Sequence, residues 1–196
     1  LLINEIRESG IHVVAVTPSS DTEALCIANG IPLCSMESVE HVDIAFDGCD
    51  EADQDLNALK ACGGIHTREK ILATLADDYF LLLDESKLSE RLQFNYPVTV
   101  EVVKSARSLA MKCLKEMGAS VTIRKSKEKA GYTVADDGGY LMEAVFEAEK
   151  VAEPSALKEL NEKLNAIPGM IGHGLFYQVA TGAIVVGKDE IKVLKR

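Results

Sequence analysis

Short β-branched or apolar runs, each followed by a polar loop and a helix-period segment, most constrain how this chain can fold. Residues 11–16 (I-H-V-V-A-V), 42–46 (V-D-I-A-F) and 78–84 (D-Y-F-L-L-L-D) are such runs, and 31–33 is a minimal one. Near-continuous apolar character, rather than strict alternation, marks a strand buried within a parallel sheet. Between them lie helical segments. One starts at an N-cap of Ser20 or Asp21 and closes before Gly30; another spans 67–76. Leu2, Ile3 and Ile6 at helical spacing, with Gly10 behind them, read as an opening helix. Strand, helix, strand, helix in this order requires right-handed crossovers. The expected fold class is α/β, an open, mostly parallel sheet with helices on both faces. Residues 174–176 and 183–187 read as strands returning to that sheet.

After Pro97 the pattern changes. Residues 98–102 alternate, 106–117 form an amphipathic helix stopped by Gly118, and 120–123 alternate again. D-D-G-G at 136–139 reads as the turn of a hairpin between 132–134 and 140–144, and 154–164 is helical. We therefore expect a small inserted α+β (ferredoxin-like) domain over residues 103–171. The α/β domain then comprises residues 1–102 and 172–196.

A net charge of -10 argues against a nucleic-acid partner. A small anion remains compatible, since local cations and backbone N–H groups can hold one against the global field. The sequence has no apolar run of the roughly 18 residues a membrane span needs, and no membrane partner is expected. Five scattered cysteines, odd in number and without C-x-x-C spacing, predict reduced thiols in a cytoplasmic protein and no zinc site.

The chemistry concentrates in D-G-C-D-E-A-D-Q-D-L-N-A-L-K-A-C-G-G-I-H-T-R-E-K, residues 47–70. Asp47 and Asp50 follow a strand, where open parallel sheets place their ligand crevice. Two carboxylates so close can act as acid and base, because like charges drive their pKa values apart. They can equally bind a divalent cation. Lys60 is the only cation between Asp47 and His66, and the small-residue loop Ala61-Cys62-Gly63-Gly64 after it offers backbone N–H groups to an oxyanion or phosphate. Glu69 falls in the first turn of a helix behind Thr67, a fitting N-cap. There the helix dipole favours a carboxylate ready to act as base. Cys49 and Cys62 have no adjacent basic residue to activate them and read as small fillers. His66 and His173 read as structural, with no second ligand at metal spacing.

D-G-C-D-E, then K-A-C-G-G, then T-R-E-K resemble the D-G-A-D-E, K-G-G-G and T-[RQ]-E-K motifs of the ribose-5-phosphate isomerase A family. Ser19-Ser20-Asp21, Val100-Glu101-Val102 with Ala106-Arg107-Ser108, and Asn165-Ala166-Ile167-Pro168-Gly169 leading to Gly174-Leu175-Phe176 follow in the family's order. The resemblance implies a cofactor-free, metal-free aldose–ketose isomerase of the pentose phosphate pathway acting on ribose 5-phosphate and ribulose 5-phosphate. It also implies a homodimer or homotetramer, and apolar segments such as Leu175-Phe176 are candidates to meet a partner. Carried over by position, Glu69 is the base. Asp47 and Asp50 bind sugar hydroxyls and assist ring opening. Lys60 and the loop to Gly63 stabilise the enediolate oxygen. Gly48, Cys49, Ala61, Cys62, Gly63 and Asn95 complete the implied substrate-binding set.

The departures are specific. The family's G-T-G-S-T phosphate loop precedes the segment that begins here at Leu1. The loop and the first sheet strand are therefore expected to lie outside this chain, which by itself is expected to show little activity. Ala61-Cys62 replaces Gly-Gly, and each Cβ narrows the backbone's freedom. Asn95 stands where a lysine facing the phosphate is common, which admits a changed sugar-phosphate preference. The rival reading is a sugar-phosphate-sensing domain, which needs binding but no base. Retention of Asp47, Asp50, Lys60 and Glu69 together favours the enzyme.

Overall fold

A computed structural model describes residues 2–60, 62–126 and 130–196. The first half runs α1 (Leu2–Ser9), α2 (Ser20–Ala28), β1 (Val42–Gly48), β2 (Glu51–Asp53), β3 (Ala58–Leu59), α3 (His66–Leu75), β4 (Ala76–Asp84) and β5 (Leu88–Ser89). The middle contains β6 (Val98–Val102), α4 (Arg107–Glu116), β7 (Ser120–Ile123), β8 (Tyr140–Val145), α5 (Ala148–Val151) and α6 (Pro154–Asn165). The chain closes with β9 (Met170–His173), β10 (Leu175–Phe176), β11 (Gly182–Val186) and β12 (Ile191–Lys195).

The main sheet has the order β1-β4-β11-β12, parallel except for β12 at its edge. The α/β class is therefore as expected. Alternate residues of β4 (Tyr79, Leu81, Leu83) and β11 (Ala183, Val185) are buried with Ala45, Ala73 and Phe176 in one core. The opposite face is more open: Ile44, Phe46 and Leu82 remain 46%, 39% and 41% exposed. Apolar composition in 78–84 thus overstated how evenly the strand is covered.

Residues 11–16 depart from the expected buried strand. Among the described residues their only bridge joins Ala15 to Leu33, with Ala15 N–H donating to Pro32 at 2.8 Å and Cys34 N–H donating to Ala15 at 2.8 Å. Ile11 and Val14 are 63% and 67% exposed. A cavity of about 710 Å³ is lined by 12–19 and by β1, and among the described residues the segment pairs with no strand of the main sheet. The cap of α2 is Ser19, whose hydroxyl accepts from Thr22 N–H, one residue earlier than expected.

A second sheet, β7-β8-β6-β9, forms the α+β part. Every residue of β6 is buried. Val98, Val100 and Val102 pack with Leu114 of α4 and Leu157, Leu160 and Leu164 of α6. The α6 leucines recur at helical spacing and so share a face, behind a proline at the helix start, where its missing N–H costs nothing. Fully burying each such leucine contributes about 2 kcal/mol. This sheet takes in β6 and β9, a few residues beyond each edge of the expected 103–171. The expected hairpin is present in short form: Val134 bridges Tyr140 antiparallel and Ala135 N–H donates to Gly139 at 2.9 Å, while the long ladders of β8 run to β7 and β6.

The remaining sheet, β10-β3-β2-β5, is small. The 174–176 segment was expected in the main sheet; instead β10 pairs antiparallel with β3. Leu175 and Phe176 are fully buried there, which removes them as a surface for a partner. This sheet carries Lys60, the residue that follows β3.

Candidate active site

Asp47 is the penultimate residue of β1, and the strand's ladder to β4 delivers it to the sheet's carboxyl end. One of its oxygens accepts from Gly48 N–H at 2.8 Å; the other accepts from the Tyr79 hydroxyl at 3.1 Å. A buried tyrosine needs a partner for its O–H, so Tyr79 orients Asp47 as it satisfies itself. Burial and the facing Asp47 push the Tyr79 phenol well above its ordinary pKa.

Lys60 is placed through the β3–β10 pairing, its N–H donating to Gly174 at 2.8 Å. The ammonium lies 2.9 Å from Asp47 Oδ2 and 3.4 Å from Glu69 Oε2, and donates to the Gly48 carbonyl. Its side chain is only 6% exposed and that of Glu69 only 16%, so the charges meet largely out of water, where they interact strongly.

Glu69 lies in the first turn of α3. That helix has no side-chain N-cap. Its cap residue is Ile65, and Thr67, expected as the cap, donates from its hydroxyl to Glu101 of β6 at 2.7 Å. The other Glu101 oxygen accepts from Gly139 N–H at 3.2 Å, and Arg68 pairs with Asp137 at 2.7 Å. The α+β part therefore grips the start of α3. A Cβ on Gly172 would come within 2.5 Å of Thr67 Oγ1, so glycine is required for this approach. Burial raises the Glu69 pKa to about 7; attraction to Lys60 opposes this, and repulsion from Asp47 and Asp50 adds to it. The dipole argument, which foresaw a low pKa, loses to desolvation.

Asp50 N–H donates to Leu59, and its Oδ2 accepts from Cys62 N–H at 3.2 Å, tying the two halves of the motif together. Cys62 and Gly63 are exposed, which corrects the reading of Cys62 as a filler. Cys49 is buried, and burial pushes its thiol up to about 11, which makes it a poor nucleophile. Gly64 has φ +73, and a Cβ there would meet Leu141 and Arg124 at 2.7 and 2.9 Å. Arg124, paired with Glu143, also donates to the Cys62 carbonyl at 3.3 Å, so the α+β part braces the loop.

Asp47, Gly48, Cys49, Asp50, Lys60, Cys62, Gly63 and Glu69 line one cavity of about 290 Å³. Ala61 lies outside the described residues. Asn95 is not among the cavity's walls: it is exposed, its backbone N–H held by Glu51 at 3.1 Å. Buried Glu51 also accepts from Gln93 and Phe94. Lys87 lines the cavity as well, its ammonium donating to the Cys49 carbonyl at 2.8 Å. The sequence reading missed it, although its place after strand 78–84 marks the sheet's carboxyl end. Tyr79 was missed because only burial reveals that it faces Asp47. Among the described residues no three His, Cys, Asp or Glu side chains converge in a metal-binding arrangement, and no helix is long and apolar enough to cross a membrane.

Such a cluster suits proton transfer next to a carbonyl. It offers a carboxylate of near-neutral pKa, an ammonium beside it, and backbone N–H groups for developing charge. Comparison with known proteins agrees. Residues 14–190 match the family model for ribose 5-phosphate isomerase A (phosphoriboisomerase A). Ribose-5-phosphate isomerase A of Methanothermobacter thermautotrophicus is 39% identical over 192 residues, 97% of this chain and 81% of that protein. The Thermosynechococcus vestitus protein of the same name is 36% identical over 92% of this chain and 76% of its own length. The solved Methanocaldococcus jannaschii ribose 5-phosphate isomerase A superposes with a TM-score of 0.88 at 33% identity, covering 100% of this chain and 84% of that one. A D-ribose-5-phosphate isomerase in complex with phospho-erythronic acid superposes at 0.89 and 32% identity, over 100% and 83% of the two chains. Sequence motifs, fold and site geometry converge on one assignment: the chain belongs to the ribose 5-phosphate isomerase A family.

Proposed function

We propose that this site interconverts D-ribose 5-phosphate and D-ribulose 5-phosphate, with Glu69 as base and Lys60 as the oxygen clamp. The observation that carries the reading is the approach of Lys60 Nζ to 3.4 Å from Glu69 Oε2 inside a cavity that Asp47 and Asp50 also face. In the open-chain aldose, the Glu69 carboxylate takes the proton from C2. The C–H electron pair forms the C1–C2 double bond, and negative charge develops on O1. Lys60 and the N–H of exposed Gly63 in the loop stabilise that charge, which is larger in the transition state than in the ground state. Glu69 then returns the proton to C1 while the O2 proton passes to O1, leaving the ketose. Asp47 and Asp50 bind hydroxyls and assist ring opening.

A carboxyl of pKa about 7 suits this work, since it must both take and give a proton near neutral pH. The solved relative holding phospho-erythronic acid supports a sugar-phosphate ligand for this cavity. We further propose a small domain around 103–171 set in a catalytic domain of 1–102 and 172–196. A cytoplasmic setting is supported by five free cysteines. A homodimer or homotetramer is supported by Ile191 and Val193, 68% and 60% exposed on edge strand β12.

The test is ribose 5-phosphate in D2O followed by NMR, which also reads slow turnover. Ribulose 5-phosphate is expected, with deuterium entering C1 to the extent that the proton on Glu69 exchanges with solvent before its return. Turnover of another sugar phosphate with none of this one would overturn the substrate, and turnover unchanged in Glu69→Gln would overturn the base.

A further inference from the structure

Lys70 follows Glu69 in α3 but does not line the catalytic cavity. Its ammonium donates to the carbonyls of His173 at 2.7 Å and Leu175 at 2.8 Å, and lies 3.2 Å from His173 Nδ1. Burial lowers Lys70 to about 7. Among the described residues no carboxylate forms a salt bridge with it, so carbonyl groups replace its water. An apolar side chain would fill such a place at lower desolvation cost, so the ammonium calls for a reason beyond packing.

The two carbonyls flank Gly174, and Gly174 holds the clamp. Its carbonyl accepts from Lys60 N–H at 2.8 Å, and its own N–H donates to Thr99 at 2.7 Å. A Cβ on Gly174 would fall 2.2 Å from the Lys60 carbonyl oxygen, so the two backbones touch without slack. Phe176 serves both ammoniums, its ring centroid 4.9 Å from Lys70 Nζ and 5.6 Å from Lys60 Nζ.

We propose that Lys70 is a positioning residue for the isomerisation: by gripping the backbone on both sides of Gly174, it fixes Lys60 against Glu69, its neighbour in the same helical turn. The proposal rests on the reading of Glu69 and Lys60 as base and clamp. Its test is the carboxyl titration of Glu69, followed by 13C NMR without substrate in wild type, Lys70→Met and Lys70→Gln, each also in a Lys60→Gln background. Lys60 is the strongest attraction that lowers Glu69. Loosening it in Lys70→Met raises the Glu69 pKa by about half a unit or more. Glutamine can still reach one carbonyl and gives a smaller rise. Both rises vanish in the Lys60→Gln background, as a double-mutant cycle requires of an effect routed through Lys60.

The kinetic counterpart is a kcat about ten- to a hundredfold lower with KM nearly unchanged. An unmoved Glu69 titration in a folded variant, or a rise that persists without Lys60, overturns the proposal. If Lys70→Met does not fold, Lys70→Gln, which keeps a donor, decides it. The titration uses no substrate, so its failure is distinct from failure of wild type to turn over ribose 5-phosphate.

Discussion

Replacing Glu69 by glutamine should abolish turnover and at the same time stabilise the fold, in a way that depends on pH. Burial holds the folded-state carboxyl at about 7, against an ordinary value of 4.5. Below pH 4.5 the group is protonated folded or unfolded and contributes nothing to the difference. Between 4.5 and 7 the unfolded chain ionises while the folded chain keeps its proton, so folding loses stability as pH rises. Above 7 the loss is complete, about 3 kcal/mol for this separation. Glutamine does not titrate, and Lys60 keeps Asp47 as a partner at 2.9 Å. The advantage of Glu69→Gln should therefore grow by about 2.5 kcal/mol between pH 5 and pH 8. For a chain of this size that is a gap of about 5–10 °C in melting temperature. Thermal unfolding of both proteins at the two pH values measures it, and isomerisation should fall about a hundredfold or more. Equal melting temperatures at pH 8, or a gap of the same size at pH 5, would refute burial as the cause of the raised pKa.

The acid limb of kcat/KM should bend at about pH 7 and fall tenfold per unit below it, since only the carboxylate accepts the C2 proton; a bend near the ordinary value of 4.5 would contradict the site's desolvation. Lys60→Met should lower kcat by about a hundredfold or more, and should move that acid limb upward because Glu69 loses its strongest stabilising charge; steady-state kinetics across pH read both. Glu51→Gln should cost about 2–3 kcal/mol in urea unfolding, because a buried carboxylate that accepts from Gln93, Phe94 and Asn95 would present an amide to at least one of those donors.

Much of the site was legible because local sequence carries it. Asp47, Lys60 and Glu69 each sit at an element boundary, and small residues with turn or cap chemistry announce such boundaries. The strands at 42–46 and 78–84 were found within two residues at each end for the same reason. Two kinds of feature were not legible. Pairing partners were one: nothing in Leu175-Phe176 says that it joins β3 and not the main sheet, since short apolar strands fit either. The helix start was the other, because Thr67 in the capping position turned instead to Glu101, thirty-four residues away.

What the sequence alone determined was the fold class and the family, and it singled out the groups proposed to react, because strand and helix periods and the three motifs are local properties. The chemistry of those groups was decided by tertiary structure. Glu69 looked like an ordinary ionised carboxylate at a helix start. Its proton affinity near neutrality comes from the walls closed around it by β1, β4 and the Lys60 strand, and desolvation is a property of what surrounds a group, not of its neighbours in the chain. The 3.4 Å between the proposed base and clamp likewise depends on Gly174 and Thr99, residues far from Lys60 in sequence that meet its backbone only when the sheets assemble.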